Sequence, residues 1–294
     1  MRLKSLQCDD RIKQSDPLTG PMAVNHYENF PVASLLLPKD IRQDVVNLYR
    51  FARSADDIAD EGHAPASERL ARLRAYRAAL HDVAEMRRVQ SDDAQIIAVF
   101  EPLAWSIARH RLPISLLDDL LTAFEQDISV KRYHSNRTLD QYCMRSANPV
   151  GRLMLQLFRQ TDELSLAQSD AICTALQRIN FLQDVAIDFL KERVYLAQED
   201  LERHHVSERQ IADGVVDENW INLMTEQAKH CQELLHFGQP LGRRLKGRVG
   251  LEIRLIVQGG LRVLEKLEAV QFDVFRRRPV LVRSDWFRIF FRAL

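Results

Sequence analysis

The feature that most constrains the fold is the segment from about Leu164 to Leu190, which predicts one long helix that is apolar around most of its circumference. A helix of this kind is normally buried among other elements. It nevertheless carries Asp184 and Asp188, which lie four residues apart and therefore on one helical face. Buried carboxylates are costly unless they are paired or coordinate a metal. The segment therefore predicts a buried helix that carries a polar site.

The rest of the chain also favours helices. Ten glycines and ten prolines in 294 residues are few, apolar residues recur with the helical period, and strand-like alternation is nearly absent. We therefore predict an all-α protein, with a disordered segment at 1–22 and a single helical domain at 23–294. Besides the long segment and a short helical turn after Leu201, helices are predicted at Pro38–Glu61, which Gly62 ends, Ala66–Met86, Asp92–His110, Ile114–Ser129, Leu139–Arg145, Val150–Arg159, Asp217–Phe237, Gly250–Phe272 and Arg283–Ala293.

Composition excludes several classes of function. Lysine plus arginine equals aspartate plus glutamate, at 41 each, so no basic surface for nucleic acid is expected. Four scattered cysteines show neither metal-ligand spacing nor a disulfide framework, which is typical of a reducing cytoplasm. The first 20 residues lack the apolar core of a signal peptide, and no apolar run is long enough to cross a membrane. We therefore expect a cytoplasmic protein.

A second aspartate pair, Asp56 and Asp60, lies on the first long predicted helix, in one stripe with Tyr49 and Arg53. Alone, this pair could equally continue a solvated face, since Asp57 follows directly. Arg53 lies one turn before Asp56, where a guanidinium would either bind diphosphate oxygens or form a salt bridge to its own helix.

The central helix carries a matching stripe, because Gln177 and Asn180 lie in register with Asp184 and Asp188. Metal sites need ligands from more than one element, so two facing pairs are more informative than either alone. Carboxylates in this arrangement favour Mg²⁺, which commonly carries a phosphate-bearing substrate.

These motifs resemble the squalene/phytoene synthase family. The resemblance rests on the residues from Tyr49 to Asp60, on Asn180 to Asp188, on Glu192 to Leu196 and on a closing pattern at Phe272–Phe275 and Arg278–Pro279, and it extends from about His26 to Trp286. It implies an isoprenoid synthase helical bundle around a central cavity.

Two segments narrow the resemblance to the hopanoid-pathway hydroxysqualene synthase branch: Glu28–Ser34, which reads Glu-Asn-Phe-Pro-Val-Ala-Ser, and Ser146–Arg152, which reads Ser-Ala-Asn-Pro-Val-Gly-Arg. Enzymes of that branch ionise and rearrange presqualene diphosphate with Mg²⁺, and water captures the cation to give hydroxysqualene and pyrophosphate. The resemblance therefore implies a carbon–oxygen lyase related to the prenyl transferases.

The resemblance also assigns roles to matching positions. It implies up to three Mg²⁺ ions, no NADPH, and a Gln183 that replaces an arginine placed near the diphosphate in some members. The implied metal ligands are Asp56, Asp60, Asn180, Asp184 and Asp188; the diphosphate contacts are Tyr49, Arg53 and Gln177; the cavity wall includes Phe30 and Tyr142; Arg193 and Tyr195 help close the site; and Asn29, Ser34 and Asn148 are the candidates for holding the capturing water.

Three questions stay open at this level. The segment 280–292 mixes Trp, Phe and Arg, so its helix either lies on a membrane surface or docks on the core. An upstream synthase and a downstream reductase are candidate partners for handing over oily intermediates. The alternative functions are a sister enzyme joining two prenyl diphosphates, that is, a presqualene diphosphate, squalene or phytoene synthase, and a non-catalytic assembly protein of the same fold.

Overall fold

A computed structural model describes residues 37–60 and 64–294, in which thirteen helices and no strand occur. The predicted disordered segment 1–22, the end of the first helix at Gly62, and Asn29, Phe30 and Ser34 lie outside these residues. The helices are α1 Arg42–Asp60, α2 Ala66–Ala84, α3 Ala94–His110, α4 Ile114–Ser129, α5 Asn136–Ser146, α6 Asn148–Leu157, α7 Glu163–Leu190, α8 Gln198–Arg203, α9 Glu208–Asp213, α10 Glu218–Gly238, α11 Leu241–Arg244, α12 Gly247–Ala269 and α13 Arg283–Ala293.

The 28-residue helix α7 is central, as its apolar circumference predicts. It packs against α5, α6, α10 and α12 and buries Ile172, Ala175, Ile179 and Leu182. The contact with α10 is close because Gly238 faces it: a Cβ at Gly238 would lie 2.4 Å from Ile172 Cγ1. Burying a side chain of this size stabilises the fold by roughly 1.5–3 kcal/mol.

Two apolar cores lie on either side of the bundle. One joins α7, α10 and α12 around Trp220, and the other joins α1 to α4 and α6 around Phe51 and Phe100. A smaller third cluster contains Tyr133, Tyr142, Phe181 and Tyr195. Each of the two larger cores includes one helix that carries an aspartate pair, α7 in the first and α1 in the second.

Helix boundaries differ from the expectation where a cap decides them. Helix α5 begins at Asn136 rather than Leu139 because Ser135 and Thr138 form a capping box. Pro149 stands in the first turn of α6, where its missing N–H costs nothing. Helix α12 begins at Gly247, three residues before the predicted Gly250.

The C-terminal helix α13 docks on α12. Asp285 accepts hydrogen bonds from Arg262 Nε at 2.8 Å and Lys266 Nζ at 2.6 Å, and Ile289 is fully buried. The opposite side of the helix is aromatic, with Phe287 72% and Phe291 73% exposed. Among the described helices, none has the length and apolar character needed to cross a bilayer.

Candidate active site

One cavity of about 630 Å³ lies between α1, α4, α6, α7 and α12. Its size is within the range of ligand pockets, about 300–1,000 Å³. Its polar lining comes from Tyr49, Arg53, Asp56, Ser146, Gln177, Asn180, Asp184, Glu252 and Arg278, and its apolar lining from Leu37, Val45, Leu48, Ala52, Leu117, Leu120, Phe124, Val150, Leu153, Met154, Leu176 and Ile256.

The cavity runs along the bundle, and most of its charged groups lie at one end. Helices α7 and α12 run in the same direction, because Arg244 before α12 contacts Asp162 before α7 at 2.8 Å, while Gln183 near the end of α7 donates to the Pro279 carbonyl. Gly260 in the middle of α12 packs against Leu176 in the middle of α7, since a Cβ at Gly260 would lie 3.1 Å from the Leu176 side chain. These two residues therefore lie at the same height along the bundle.

This alignment separates the ends of the cavity. Asp184 lies eight residues after Leu176, and Glu252 lies eight residues before Gly260, so about 24 Å separates the two along the axis at 1.5 Å per residue. Asp56 and Arg53 lie near the C-terminal end of α1, on the Asp184 side, whereas Val45 lies toward the Glu252 end. Apart from Glu252, the charged lining therefore lies at one end of the cavity, and the rest of the lining is mainly apolar.

The α1 pair is bound by side-chain cations. Arg53 Nη1 donates to Asp56 Oδ2 at 3.1 Å within the same helix. Asp60 accepts hydrogen bonds from Arg193 at 2.6 and 3.1 Å and from Lys191 at 3.1 Å. Burial raises the pKa of Asp60, but these cations outweigh it and hold that pKa below its usual value.

The α7 pair is only half neutralised. Arg278, from the segment after α12, forms a two-contact salt bridge with Asp184, one contact being 3.0 Å between Nη2 and Oδ2. The Asp188 carboxylate has no such partner among the described residues. Burial, followed by the charge of Asp184, raises the pKa of Asp188 to about 7.

These carboxylates fit a divalent cation. Burial, followed by the charge of Asp60, likewise raises the pKa of Asp56 to about 6, so the site carries negative charge that its own cations do not fully compensate. One member of each pair, Asp56 and Asp184, lines the same cavity, and the charge of Asp60 contributes to the raised pKa of Asp188. Within the described ranges no three acidic, His or Cys side chains form a ready-made metal cluster.

Tyr142 and Tyr195 lie in a buried cluster beside the cavity rather than in its lining. Both hydroxyls donate to Asp127, at 2.9 and 3.0 Å, and Tyr195 stacks on Phe181 with ring centroids 4.1 Å apart. The backbone carbonyl of Asp127 accepts a 3.1 Å bond from Arg193 Nη2. The cluster thus positions the arginine that binds Asp60.

Five further predicted residues also lie outside the cavity lining: Asp60, Asp188, Arg193, Gln183 and Asn148. Gln183 is 1% exposed and donates to the Pro279 carbonyl, so it anchors the segment that carries Arg278. Asn148 is buried and its Oδ1 accepts a 3.0 Å hydrogen bond from Thr174. Near the break between α5 and α6, Ser146 and Val150 line the cavity, whereas Asn148 does not.

Comparison with known proteins decides the family. The profile described as squalene/phytoene synthase matches residues 23–285. The chain belongs to the squalene/phytoene synthase family. Its fold agrees with this assignment, since squalene synthase HpnC from Alicyclobacillus acidocaldarius superposes with a TM-score of 0.76 at 30% identity, over 84% of this chain and 90% of that one.

The curated relatives of this family member include several hydroxysqualene synthases. That of Sinorhizobium fredii is 30% identical over 85% of this chain and 83% of its own length, and that of Rhodopseudomonas palustris is 32% identical over 82% and 80%. That of Zymomonas mobilis is 38% identical over 60% of this chain, and the match spans 56% of that relative.

The sequence analysis did not assign a role to four residues that the structure places at or beside the site. Arg278, Lys191 and Asp127 reach the aspartate end from distant segments, and Ser146 reaches the cavity from the end of α5. Arg278 stands in the closing Arg-Pro motif of the resemblance, which was the one signal available for it. Lys191 follows the second aspartate pair directly.

Proposed function

We propose that this protein ionises presqualene diphosphate with Mg²⁺ and converts the resulting cation to hydroxysqualene. The observation that carries the proposal is the division of one cavity into a carboxylate and arginine end and a long apolar remainder. The hydroxysqualene synthases among its relatives support the choice of reaction.

The aspartate end would hold the diphosphate. Asp56, Asp60, Asp184 and Asp188, with Asn180, are the residues that would bind Mg²⁺, which as a Lewis acid stabilises negative charge on the leaving pyrophosphate. Arg53 and Arg278 line the same end and carry guanidinium groups suited to phosphate oxygens, so they bind and orient the leaving group.

The apolar walls would exclude bulk water while the cation rearranges. Leu48, Leu120, Leu153 and Ile256 surround the space in which the hydrocarbon would lie. A dry site prevents random capture of a reactive intermediate, so product identity depends on where a single water is admitted.

Product analysis tests this function. The full-length protein is incubated with Mg²⁺ and either presqualene diphosphate or farnesyl diphosphate, with and without NADPH. Hydroxysqualene from presqualene diphosphate alone supports the proposal. Turnover of farnesyl diphosphate would instead assign a condensing synthase, and no turnover of either substrate would favour a non-catalytic assembly protein.

We also propose that α13 contacts a membrane surface. Its docked side is fixed by Asp285 and Ile289, while Phe287, Phe290 and Phe291 remain exposed beside Arg288. Aromatic side chains next to cations are typical of interfacial helices. Vesicle flotation of Phe287→Ser/Phe291→Ser against wild type tests it, and equal flotation of the two proteins would rule it out.

A further inference from the structure

The hydroxyl of Ser146 is a buried polar group with no hydrogen-bond partner among the described residues. Ser146 is the last residue of α5 and lines the cavity next to Val150 of α6. Most buried hydroxyls in proteins are paired with protein groups or with ordered water. A buried orphan hydroxyl in a cavity wall therefore points to a ligand or a water that completes it.

The position of Ser146 along the cavity follows from its neighbours. Tyr142, one turn earlier, packs near Phe181, and Asn148, two residues later, bonds Thr174. Ser146 therefore lies about level with Gln177, another lining residue. Asp184 is seven residues further along α7, so about 10 Å separates this level from the aspartate end.

This level suits the reacting carbons. A cation formed by loss of pyrophosphate begins next to the leaving group and lies on the carbon chain that extends from it toward the apolar walls. A polar group about 10 Å from the aspartates is close enough to reach that part of the chain. Ser146 Oγ and the Gln177 amide are two polar groups of the lining at about this level.

We propose that Ser146 positions the water that captures the cation, an inference that rests on the proposed formation of hydroxysqualene. A water between Ser146 Oγ and the Gln177 amide would have two polar partners, which is the number that an ordered water requires at minimum. Asn148, one of the three residues expected for this role, instead accepts a hydrogen bond from Thr174 outside the cavity lining.

The step is balanced as a net hydrolysis. The carbon–oxygen bond to the diphosphate breaks with its electron pair leaving on pyrophosphate, and a lone pair of the water oxygen forms the new carbon–oxygen bond. The proton released from that water goes to pyrophosphate. Without a positioned water, the cation loses a proton from carbon to pyrophosphate instead, which gives a hydrocarbon with one more double bond.

The test measures the hydroxylated fraction of thirty-carbon product per pyrophosphate released from presqualene diphosphate. For Ser146→Ala we expect this fraction to fall about fivefold to tenfold, the effect of one lost hydrogen bond. Ser146→Cys keeps the size of the side chain but loses the hydroxyl, and should fall similarly, whereas Ser146→Thr should retain most of the fraction.

Thr174→Val is the matched control, since it removes a buried hydroxyl close to Ser146 that is not part of the lining. An unchanged fraction in Ser146→Ala and Ser146→Cys, or an equal fall in Thr174→Val, would overturn the assignment of the water to Ser146. If wild type itself forms no hydroxysqualene, the proposed function fails first, and the inference with it.

Discussion

The two aspartate pairs have the same spacing but different electrostatic surroundings. On α1, Asp56 is bound by Arg53 and Asp60 by Arg193 and Lys191. On α7, Arg278 binds Asp184, while the Asp188 carboxylate has no ion pair within the described part of the chain. Each pair therefore has one carboxyl with a raised pKa, Asp56 or Asp188, but only that of Asp188 lacks an ion pair among these residues and retains a buried charge that a bound cation would stabilise.

The largest expected effect is at Asp188. Asp188→Asn should lower turnover about a hundredfold or more if the proposed ionisation uses this charge. The same change should raise the free energy of unfolding at pH 8 by about 1 kcal/mol, because a carboxyl with a raised pKa opposes folding when ionised. Pyrophosphate release and denaturant unfolding measure the two, and lower stability would contradict this account of Asp188.

Asp285 is a carboxylate whose pKa is lowered rather than raised, so its removal should change stability in the opposite direction to that of Asp188. Burial raises its pKa, but hydrogen bonds from Lys266, the Val282 N–H and Arg262 outweigh it and lower the pKa to about 2. Because the folded pKa lies below the unfolded one, the stabilisation is present above about pH 4 and is lost as the pH falls toward 2.

Asp285→Asn should therefore cost about 2 kcal/mol of unfolding free energy at pH 7. The difference from wild type should shrink as the pH is lowered from about 4 toward 2. Urea titrations at several pH values measure it, and a difference that does not change with pH would contradict the ion-pair explanation.

Arg278 tests the neutralised member of the α7 pair. Arg278→Ala removes the guanidinium that pairs with Asp184 and leaves this carboxylate next to Asp188. The unfolding free energy should therefore fall by about 1 kcal/mol. Arg276→Ala is the control, since its exposed salt bridge to Asp273 should contribute less. Adding Asp184→Asn to Arg278→Ala should recover the loss.

The smallest stability effect is expected at Arg53, whose pairs with Asp56 and Asp57 are made within one helix and are partly exposed. Arg53→Ala should change unfolding free energy by only about 0.5 kcal/mol. Turnover should fall much more, because the guanidinium lines the cavity end. Equal effects on both quantities would assign Arg53 a structural role only.

The sequence could predict those features of the site that depend on spacing within one helix. Spacing along one helix placed Asp56 with Asp60, Asp184 with Asp188, and Arg53 one turn from Asp56, because helical geometry is local. Periodicity also indicated the central helix and most helix boundaries. Arg278 lies 94 residues from Asp184, and only tertiary packing brings such partners together.

A second limit of sequence-based prediction concerns side-chain direction at a helix break. Asn148 was predicted to face the cavity, but Ser146 lines it instead. Ser146 ends α5 and Asn148 begins α6, on opposite sides of the break at Ala147, and only Ser146 lines the cavity. Likewise, Tyr142 and Tyr195 matched the expected motif positions, yet their hydroxyls bind buried Asp127 beside the cavity. Directions of side chains at a break or in a buried cluster depend on packing that no single segment contains.

Separate stretches of sequence supply the two ends of the cavity, so they can be redesigned independently. Exchanging Val45, Leu153 or Ile256 for larger or smaller apolar residues alters the length and shape of the hydrocarbon that fits, with no change in charge. The leaving-group end, built from the last turns of α1 and α7 and the segment that carries Arg278, stays intact. Chain-length selection can thus evolve without rebuilding the ionisation machinery.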